Sequence, residues 1–245
     1  MCGRHLSSPM RRNLLLAGAS SITLAGLSQR VAVAAEPASA NGPNSIPPSE
    51  ALDRLMQGNA RYAANNPSNK DYSAGRAARV SAQYPIAAIV GCADSRVAPE
   101  LAFDQGPGDL FVVRVAGNFV NDDILASLEY GVEFLGVPLI MVLGHTQCGA
   151  VTATVKALKD GARLPGHLPE LVRAIKPAMQ MAKVAKVAKG DPGEDLVAQT
   201  TIENVRLNAN RLIVSRPLIG PYVKSGKVKI VGGIYDLATG KVTLL

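Results

Sequence analysis

An α/β fold, with a mostly parallel central sheet flanked by helices, is the fold class that the sequence predicts. Four continuous apolar runs, of the kind that form strands covered on both faces, follow one another from residue 85 onward. Helical segments separate these runs, and strands that alternate with helices indicate a parallel, doubly wound sheet. The chain has 245 residues, 47% of them hydrophobic, which suits one globular domain with a sizeable core.

The strand predictions follow the apolar runs in chain order. Four strands are predicted at 85–91, 110–115, 138–143 and 228–234, and a short fifth strand at 241–245. The turn residues Thr239-Gly240 precede the fifth strand, which we therefore expect to fold back as an edge strand.

Helices are predicted between the strands from their apolar spacing. They cover 49–65, 122–135, 148–159, 168–189 and 194–214. We expect Ser49 to cap the first helix, and a polar loop to follow it to about residue 84. Pro177 should kink or split the helix at 168–189. One face of this helix is apolar and either packs into the core or contacts a partner. The residues on it are Met179, Met181, Val184 and Val187.

The first 35 residues resemble a signal peptide. Arg11-Arg12 precede an apolar run that ends at Leu27, and small residues follow around Ala32-Val33-Ala34. The adjacent arginines resemble a twin-arginine signal, with an ordinary secretory signal or an uncleaved anchor as alternatives.

The predicted organisation is therefore a signal peptide at 1–35, a Pro/Ser/Asn-rich linker without a buried face at 36–48, and one domain at 49–245. The apolar part of the leader is too short to span a bilayer comfortably, so we expect no stable membrane span after cleavage. The mature protein should be exported and periplasmic, or extracellular.

The charge of the chain does not indicate a nucleic-acid partner. The formal net charge is +7, but four arginines and no acidic residue lie in the first 35 residues, so the remainder carries only +3. No block of Lys and Arg is interleaved with aromatic residues, as a nucleic-acid surface would require.

Two short motifs carry the predicted chemistry. Cys92 directly follows the first predicted strand, and His145 and Cys148 follow the third, so all three lie where open α/β sheets place their ligand sites. Two thiolates and one imidazole suit zinc, and three protein ligands with a fourth position open are the arrangement of a catalytic zinc site. A disulfide between the two cysteines is the alternative in an exported protein.

Asp94 and Arg96 alternate with Cys92, so an extended segment projects all three to the same side. An ionised Asp94 could accept a hydrogen bond from a zinc-bound hydroxide, while Arg96 holds the carboxylate ionised and away from the metal. If the ion pair with Arg96 broke, Asp94 could itself become the fourth zinc ligand and occupy the open coordination position. A surface salt bridge is the alternative interpretation.

Three blocks of sequence resemble the signature blocks of the β-class carbonic anhydrases. They are Gly-Cys-Ala-Asp-Ser-Arg-Val at 91–97, Val-Val-Arg-Val-Ala-Gly-Asn at 112–118 and Gly-His-Thr-Gln-Cys-Gly-Ala at 144–150. The resemblance implies the β-carbonic anhydrase fold, one zinc ion per subunit on Cys92, His145 and Cys148, and a dyad of Asp94 and Arg96. It also implies a homodimer or a dimer of dimers, with the pocket at the subunit interface.

The resemblance also supplies candidates for the substrate pocket. Gly117 and Asn118 end the second block, and Gln105 is the candidate for a glutamine that some relatives place in the pocket. Phe119 and Val120 follow the block and could line a small apolar pocket for an uncharged substrate. Some bacterial members have a regulatory bicarbonate site built around a Trp. The chain contains no Trp, so we expect the open form of the site without that switch.

The function implied is the reversible hydration of carbon dioxide to bicarbonate by a zinc-bound hydroxide. Two alternatives stay open: the same site acting on carbon disulfide, or a zinc- or bicarbonate-binding module without catalysis. Two thiolates cancel the formal charge of zinc, so its water should be less acidic than with three imidazoles, where the pKa is about 7. Activity should then rise through the alkaline range.

Overall fold

A computed structural model of the chain describes residues 42–68, 70–189 and 195–245. The predicted signal peptide and the predicted linker up to residue 41 lie outside the described residues. Within the described ranges, no helix has both the length and the apolar character that crossing a membrane requires.

Five strands form one sheet, in the order β2-β1-β3-β4-β5. The strands are β1 (Ala87–Gly91), β2 (Leu110–Arg114), β3 (Leu139–His145), β4 (Lys229–Tyr235) and β5 (Val242–Leu244). Strands β1 to β4 pair in parallel, and β5 pairs with β4 antiparallel at the edge. The predicted sheet of four parallel strands with a short fifth edge strand is confirmed.

Eight helices in the described part of the chain flank the sheet. They are α1 (Pro48–Ala63), α2 (Tyr72–Ala78), α3 (Pro99–Ala102), α4 (Asp122–Leu135), α5 (Gly149–Asp160), α6 (Leu168–Lys189), α7 (Leu196–Ile213) and α8 (Ile219–Lys224). The five long helices α1, α4, α5, α6 and α7 were predicted. The short helices α2, α3 and α8 were not.

The predicted cap of α1 and the predicted split of α6 are wrong, while a kink at Pro177 stays a prediction. Ser49 does not cap α1; the N-cap is Pro47, and no side chain makes the capping bond. Pro177 lies inside α6, which runs unbroken from Leu168 to Lys189. Helix α6 packs against both α5 and α7, and this burial outweighs the one backbone hydrogen bond that a proline removes.

The apolar residues of α6 divide between the core and the surface. Met179 is 1% exposed, together with the fully buried Ile175 and Ala182, whereas Met181 is 42% and Val184 is 70% exposed. The predicted core stripe is therefore correct for Met179 and wrong for Met181 and Val184, and the side chain of Val187 lies outside the described part.

The end of the predicted linker is packed against the domain. Asn44 is 4% exposed, and its side-chain amide donates to the carbonyl oxygens of Leu135 at 2.7 Å and of Pro85 at 3.1 Å. These bonds tie the chain before α1 to the end of α4 and to the residues before β1. The prediction of a segment without a buried face is thus wrong at Asn44, while the domain bounds stay a prediction.

The core lies on both faces of the sheet, because successive strand residues point to opposite faces. On one face Ile89 and Met141 pack with Leu55 of α1. On the other face Val90 and Val142 pack with helices α4 and α7. Every residue of β1 and β3 is buried, so these two strands lie within the core of the domain.

The strand order fixes where a ligand can bind. The chain passes from β1 outward to β2 and then returns to the other side of β1 to form β3. The order of strands therefore reverses between β1 and β3, and crevices at such a switch point are the binding sites of open α/β sheets.

Candidate metal centre

The candidate ligands lie at the carboxyl ends of the two central strands. Cys92 directly follows β1, His145 is the last residue of β3, and Cys148 occupies the N-cap position of α5. Strands β1 and β3 are paired in parallel, so their ends lie side by side. Gln147 has a φ of 55°, and this left-handed residue turns the chain between His145 and Cys148.

The three side chains form one buried cluster. Their ligand atoms, the two Sγ atoms and a His145 ring nitrogen, all lie within 4.8 Å of one another. The two sulfurs are 3.9 Å apart and both cysteines are free, whereas a disulfide needs about 2.05 Å. Two sulfurs bound at about 2.3 Å to one tetrahedral zinc ion would lie about 3.8 Å apart, so the spacing fits a shared metal.

His145 is oriented for a metal by its backbone. The side chain is fully buried, and Nδ1 lies 2.9 Å from the Thr146 carbonyl oxygen. A carbonyl only accepts, so Nδ1 carries the proton and Nε2 keeps its lone pair. Nε2 is buried and has no hydrogen-bond partner among the described residues. A buried nitrogen of this kind fits a metal ligand.

The sulfur of Cys92 receives a hydrogen bond from the backbone. The Gly117 N–H donates to Sγ at 3.3 Å, and Gly117 has a φ of +88°, where a Cβ would lie 2.6 Å from Ile175 Cδ1. Only glycine fits this approach. Hydrogen bonds from the Cys148 thiol, from His145 and from the Gly117 N–H lower the pKa of Cys92 against the effect of burial. The contact with Cys92 and burial raise the pKa of Cys148.

Asp94 and Arg96 form a two-pronged ion pair at the mouth of the cluster. Arg96 donates from Nε to Oδ1 at 2.9 Å and from Nη2 to Oδ2 at 2.7 Å. Hydrogen bonds from the Arg96 side chain hold the pKa of Asp94 well below its usual range. The Asp94 Oδ2 lies 3.9 Å from the His145 Nε2, so this carboxylate faces the position that a metal would take.

Arg114 is a contact of this loop to which the sequence pattern assigned no role. Its guanidinium donates to the carbonyl oxygens of Cys92, Asp94 and Val97 at 2.7–2.8 Å. In the sequence, the one sign that Arg114 differs from an ordinary exposed arginine is its position at the end of β2, within the block at 112–118.

Three of the predicted pocket residues line cavities away from the ligand cluster. Gln105 lines a cavity of about 720 Å³ with Tyr62 and Tyr235, and its amide donates to the Phe103 carbonyl oxygen at 2.8 Å. Phe119 and Val120 line a second cavity of about 370 Å³. None of the candidate ligands lines either cavity, so these pocket assignments stay predictions about an assembled dimer.

Of the predicted pocket residues, Gly117 contacts the cluster through its hydrogen bond to the Cys92 Sγ, and Asn118 is the next residue along the chain. Asn118 has a φ of 40° and is 1% exposed. Its amide oxygen and nitrogen are buried and have no hydrogen-bond partner in the described ranges. A buried amide without a partner is costly, so the amide of Asn118 has unused hydrogen-bonding capacity.

An α/β sheet with a Cys-His-Cys cluster at its switch point and an Asp–Arg pair beside it defines a mononuclear zinc enzyme of the open-site kind. The comparisons with known proteins agree. A family model described as carbonic anhydrase matches residues 87–242. A carbonic anhydrase of Mycolicibacterium smegmatis is 39% identical over 82% of the chain and 95% of the relative. Carbonic anhydrase 2 of Mycobacterium tuberculosis is 38% identical over 80% of the chain and 92% of the relative.

Solved structures give the same result. The β-carbonic anhydrase CcaA is 27% identical and superposes with a TM-score of 0.61 over 79% of the chain and 94% of its own length. A Coccomyxa β-carbonic anhydrase in complex with acetazolamide is 26% identical, with a TM-score of 0.59 over 80% of the chain and 85% of its own. The chain belongs to the carbonic anhydrase family, in its β class, and its cofactor is zinc.

Proposed function

We propose that the chain catalyses the reversible hydration of carbon dioxide to bicarbonate and a proton, on one zinc ion held by Cys92, His145 and Cys148. One observation carries this proposal: three buried ligand atoms lie within 4.8 Å of one another, and a carboxylate that cannot easily be protonated faces them. A purely structural zinc site would use a fourth protein ligand, and Asp94 is instead held by Arg96.

Zinc bound in this open site would lower the pKa of a bound water and so supply a hydroxide nucleophile, with activity that rises through the alkaline range because two thiolates reduce the formal charge of the metal. The protein's own residues orient the reaction. The Nδ1 bond to Thr146 fixes the ring of His145, and the Gly117 N–H stabilises the charge on the Cys92 sulfur.

Asp94 orients the attacking water. Because Arg96 keeps the carboxylate ionised, Oδ2 can only accept a hydrogen bond, which directs the oxygen lone pair of the water toward the substrate. Carbon dioxide carries no charge, so the pocket needs room and apolar walls more than charged partners.

The test is a stopped-flow hydration assay on purified protein of residues 36–245, with zinc quantified in the same sample. We expect hydration in proportion to bound zinc. Zinc-loaded protein that hydrolyses carbon disulfide and leaves carbon dioxide untouched would assign the site to that substrate. Zinc-loaded protein inactive on both would identify a binding module and end the proposal.

We also propose that the chain works as a homodimer or a dimer of dimers. A solved chain from a study of two tetrameric β-carbonic anhydrases of the fungus Sordaria macrospora shares the fold at 23% identity. Sedimentation equilibrium tests this, and a monomer at micromolar concentration would contradict it.

The leader is proposed to export the folded protein through a twin-arginine route, which gives a periplasmic or extracellular product. The support is the Arg11-Arg12 pair before an apolar run. Arg11→Lys with Arg12→Lys should leave full-length precursor in the cytoplasm, whereas the unaltered chain should appear outside with a new N-terminus near residue 36. Equal export of both chains would indicate an ordinary secretory signal.

A further inference from the structure

We propose that Arg114 is a positioning residue for the reaction, which fixes the backbone of residues 92–97 and thereby the placement of Cys92 and Asp94 around the metal. The inference deepens the proposed function and rests on it. The hydrogen bonds of Arg114 go to backbone carbonyl oxygens and not to the side chains of Cys92 or Asp94, so it acts through the loop that carries them.

The geometry is a three-point clamp. The Arg114 Nε donates to the Cys92 carbonyl oxygen at 2.8 Å, and Nη2 donates to the carbonyl oxygens of Asp94 at 2.7 Å and Val97 at 2.8 Å. These carbonyls span the whole loop from the end of β1 toward α3. One rigid group therefore sets the path of the segment that contains a zinc ligand and the dyad.

The charge of Arg114 is available for this clamp alone. No carboxylate lies within 4.0 Å of its guanidinium in the described part of the chain, so its charge-assisted bonds go to the loop. An exposed arginine at a strand end is ordinarily solvated, without fixed partners. Three short bonds to one loop are not the geometry of a solvated side chain.

The position of Arg114 follows from strand pairing. Arg114 is the last residue of β2 and is in register with Gly91, the last residue of β1. The side chain therefore extends past the end of β1 to meet the loop that begins at Cys92. Sequence distance hides this contact, since the chain between Gly91 and Arg114 passes through the loop, α3 and β2.

The fork of the guanidinium is the feature that a lysine lacks. Nε and Nη2 donate in fixed directions from one plane, whereas an ammonium is a point charge on a flexible stem. Lysine would preserve the charge beside the metal and lose the fixed spacing of the carbonyls. Because a displacement of about 1 Å at reacting groups can cost about 10²-fold in rate, the clamp should be visible in kcat.

The experiment compares Arg114→Lys and Arg114→Ala with the control Arg54→Ala, whose arginine pairs with Glu50 on the exposed face of α1. Four quantities are measured at a temperature well below unfolding: zinc per subunit, kcat per bound zinc, KM for carbon dioxide, and the visible spectrum of the cobalt(II)-substituted protein. We expect Arg114→Ala to retain metal and to lose kcat by about 10-fold to 10²-fold, with little change in KM. The thiolate-to-cobalt absorption band should shift, since Cys92 is no longer fixed.

Arg114→Lys should resemble the Ala variant more than the wild type, and Arg54→Ala should match the wild type in every quantity. Methylguanidinium added to Arg114→Ala should restore part of kcat, and methylammonium should not. An Arg114→Lys variant with wild-type kcat and a wild-type cobalt spectrum would contradict the proposal that the guanidinium of Arg114 positions residues 92–97. If Arg114→Ala does not fold, the lysine variant decides alone. If the wild type itself shows no hydration, the proposed function fails, and the cobalt spectra still decide whether Arg114 positions the loop.

Discussion

Asp94 and Asp104 follow the same strand, and both carboxylates have a pKa held well below the ordinary value. Their surroundings differ. Asp94 is bound by one residue, Arg96, whose side chain is 53% exposed, and its Oδ2 still faces the His145 nitrogen at 3.9 Å.

Asp104, by contrast, is bound by three residues and is almost fully buried. Its side chain is 5% exposed, and Oδ2 accepts from Arg61 at 2.6 Å and from the Ser68 hydroxyl at 2.7 Å. Lys70 donates to Oδ1 at 3.1 Å. Asp104 thus joins the segment after α1 to the turn after α3. The comparison teaches that a low pKa does not identify a functional carboxylate; an acceptor lone pair left facing a ligand position does.

The largest effect is expected from the metal ligands. Cys148→Ser should lose zinc to less than about a tenth of the wild-type content and lose hydration with it, because a hydroxyl is a poor zinc ligand at neutral pH. Gly149→Ala is the matched control, since a Cβ there meets no atom within 4 Å. Zinc analysis after dialysis measures both. Full zinc retention in Cys148→Ser would remove this cysteine from the ligand set.

Asp94→Asn should keep zinc and lose rate by roughly 10²-fold, because an amide can donate as well as accept and no longer orients the water uniquely. Zinc content and kcat measured together separate this from ligand loss. Equal loss of zinc in Asp94→Asn and Cys148→Ser would show that the two residues do not have separate roles.

Asp104→Asn should do the reverse. Its rate per zinc should be unchanged, and the free energy of unfolding should fall by about 2–3 kcal/mol, less than for a fully buried pair because Arg61 and Lys70 reach solvent. Urea unfolding of the zinc-loaded protein measures the change. A loss of kcat at full stability would mean that the cluster around Asp104 also serves the reaction.

Acid should weaken the same cluster in the wild type. Burial alone would raise the pKa of Asp104, but donors from Ser68, Arg61 and Lys70 outweigh it, so the pKa is lower in the folded than in the unfolded chain, where it is about 3.9. The stabilisation is complete above about pH 5 and is lost as the pH falls through the folded value. The difference in unfolding free energy between wild type and Asp104→Asn should therefore shrink from pH 7 to pH 3. A constant difference would contradict the shifted pKa.

The smallest effect is expected at an exposed ion pair. Arg54 and Glu50 are about half exposed on α1, and such pairs contribute about 0–1 kcal/mol. Glu50→Gln should change the unfolding free energy by less than about 0.5 kcal/mol, and high salt should erase that difference. If Glu50→Gln lowered the unfolding free energy as much as Asp104→Asn, solvent exposure would not explain the difference between the exposed Glu50 and the buried Asp104.

The long elements and the ligand set could be predicted from the sequence because their signals are local. Strands β1 and β3 are continuous apolar runs, and the residue types of Cys92, His145 and Cys148 restrict the chemistry. Their convergence needed one further rule, that parallel strands end at a common edge.

The remaining features depend on contacts between distant segments. Arg114 acquires its partners only when β2 pairs with β1, and Asn44 only when α4 ends beside it. Pro177 breaks an isolated helix, yet α6 is held together by its neighbours. The short helices α2, α3 and α8 are too brief to show a 3.6-residue period.

The reversal of strand order between β1 and β3 has a consequence for how the metal contributes to the protein. One cysteine comes from the first strand of the sheet, and the histidine and second cysteine come from the third, so a bound ion ties together stretches of chain that meet only after the innermost strands have paired. Such an ion works as a reversible cross-link across the middle of the sheet. A chelator would then remove a stabilising cross-link as well as the catalytic metal. In the metal-free chain, amide hydrogens at the carboxyl ends of β1 and β3 should exchange with solvent faster than those at the beginnings of these strands.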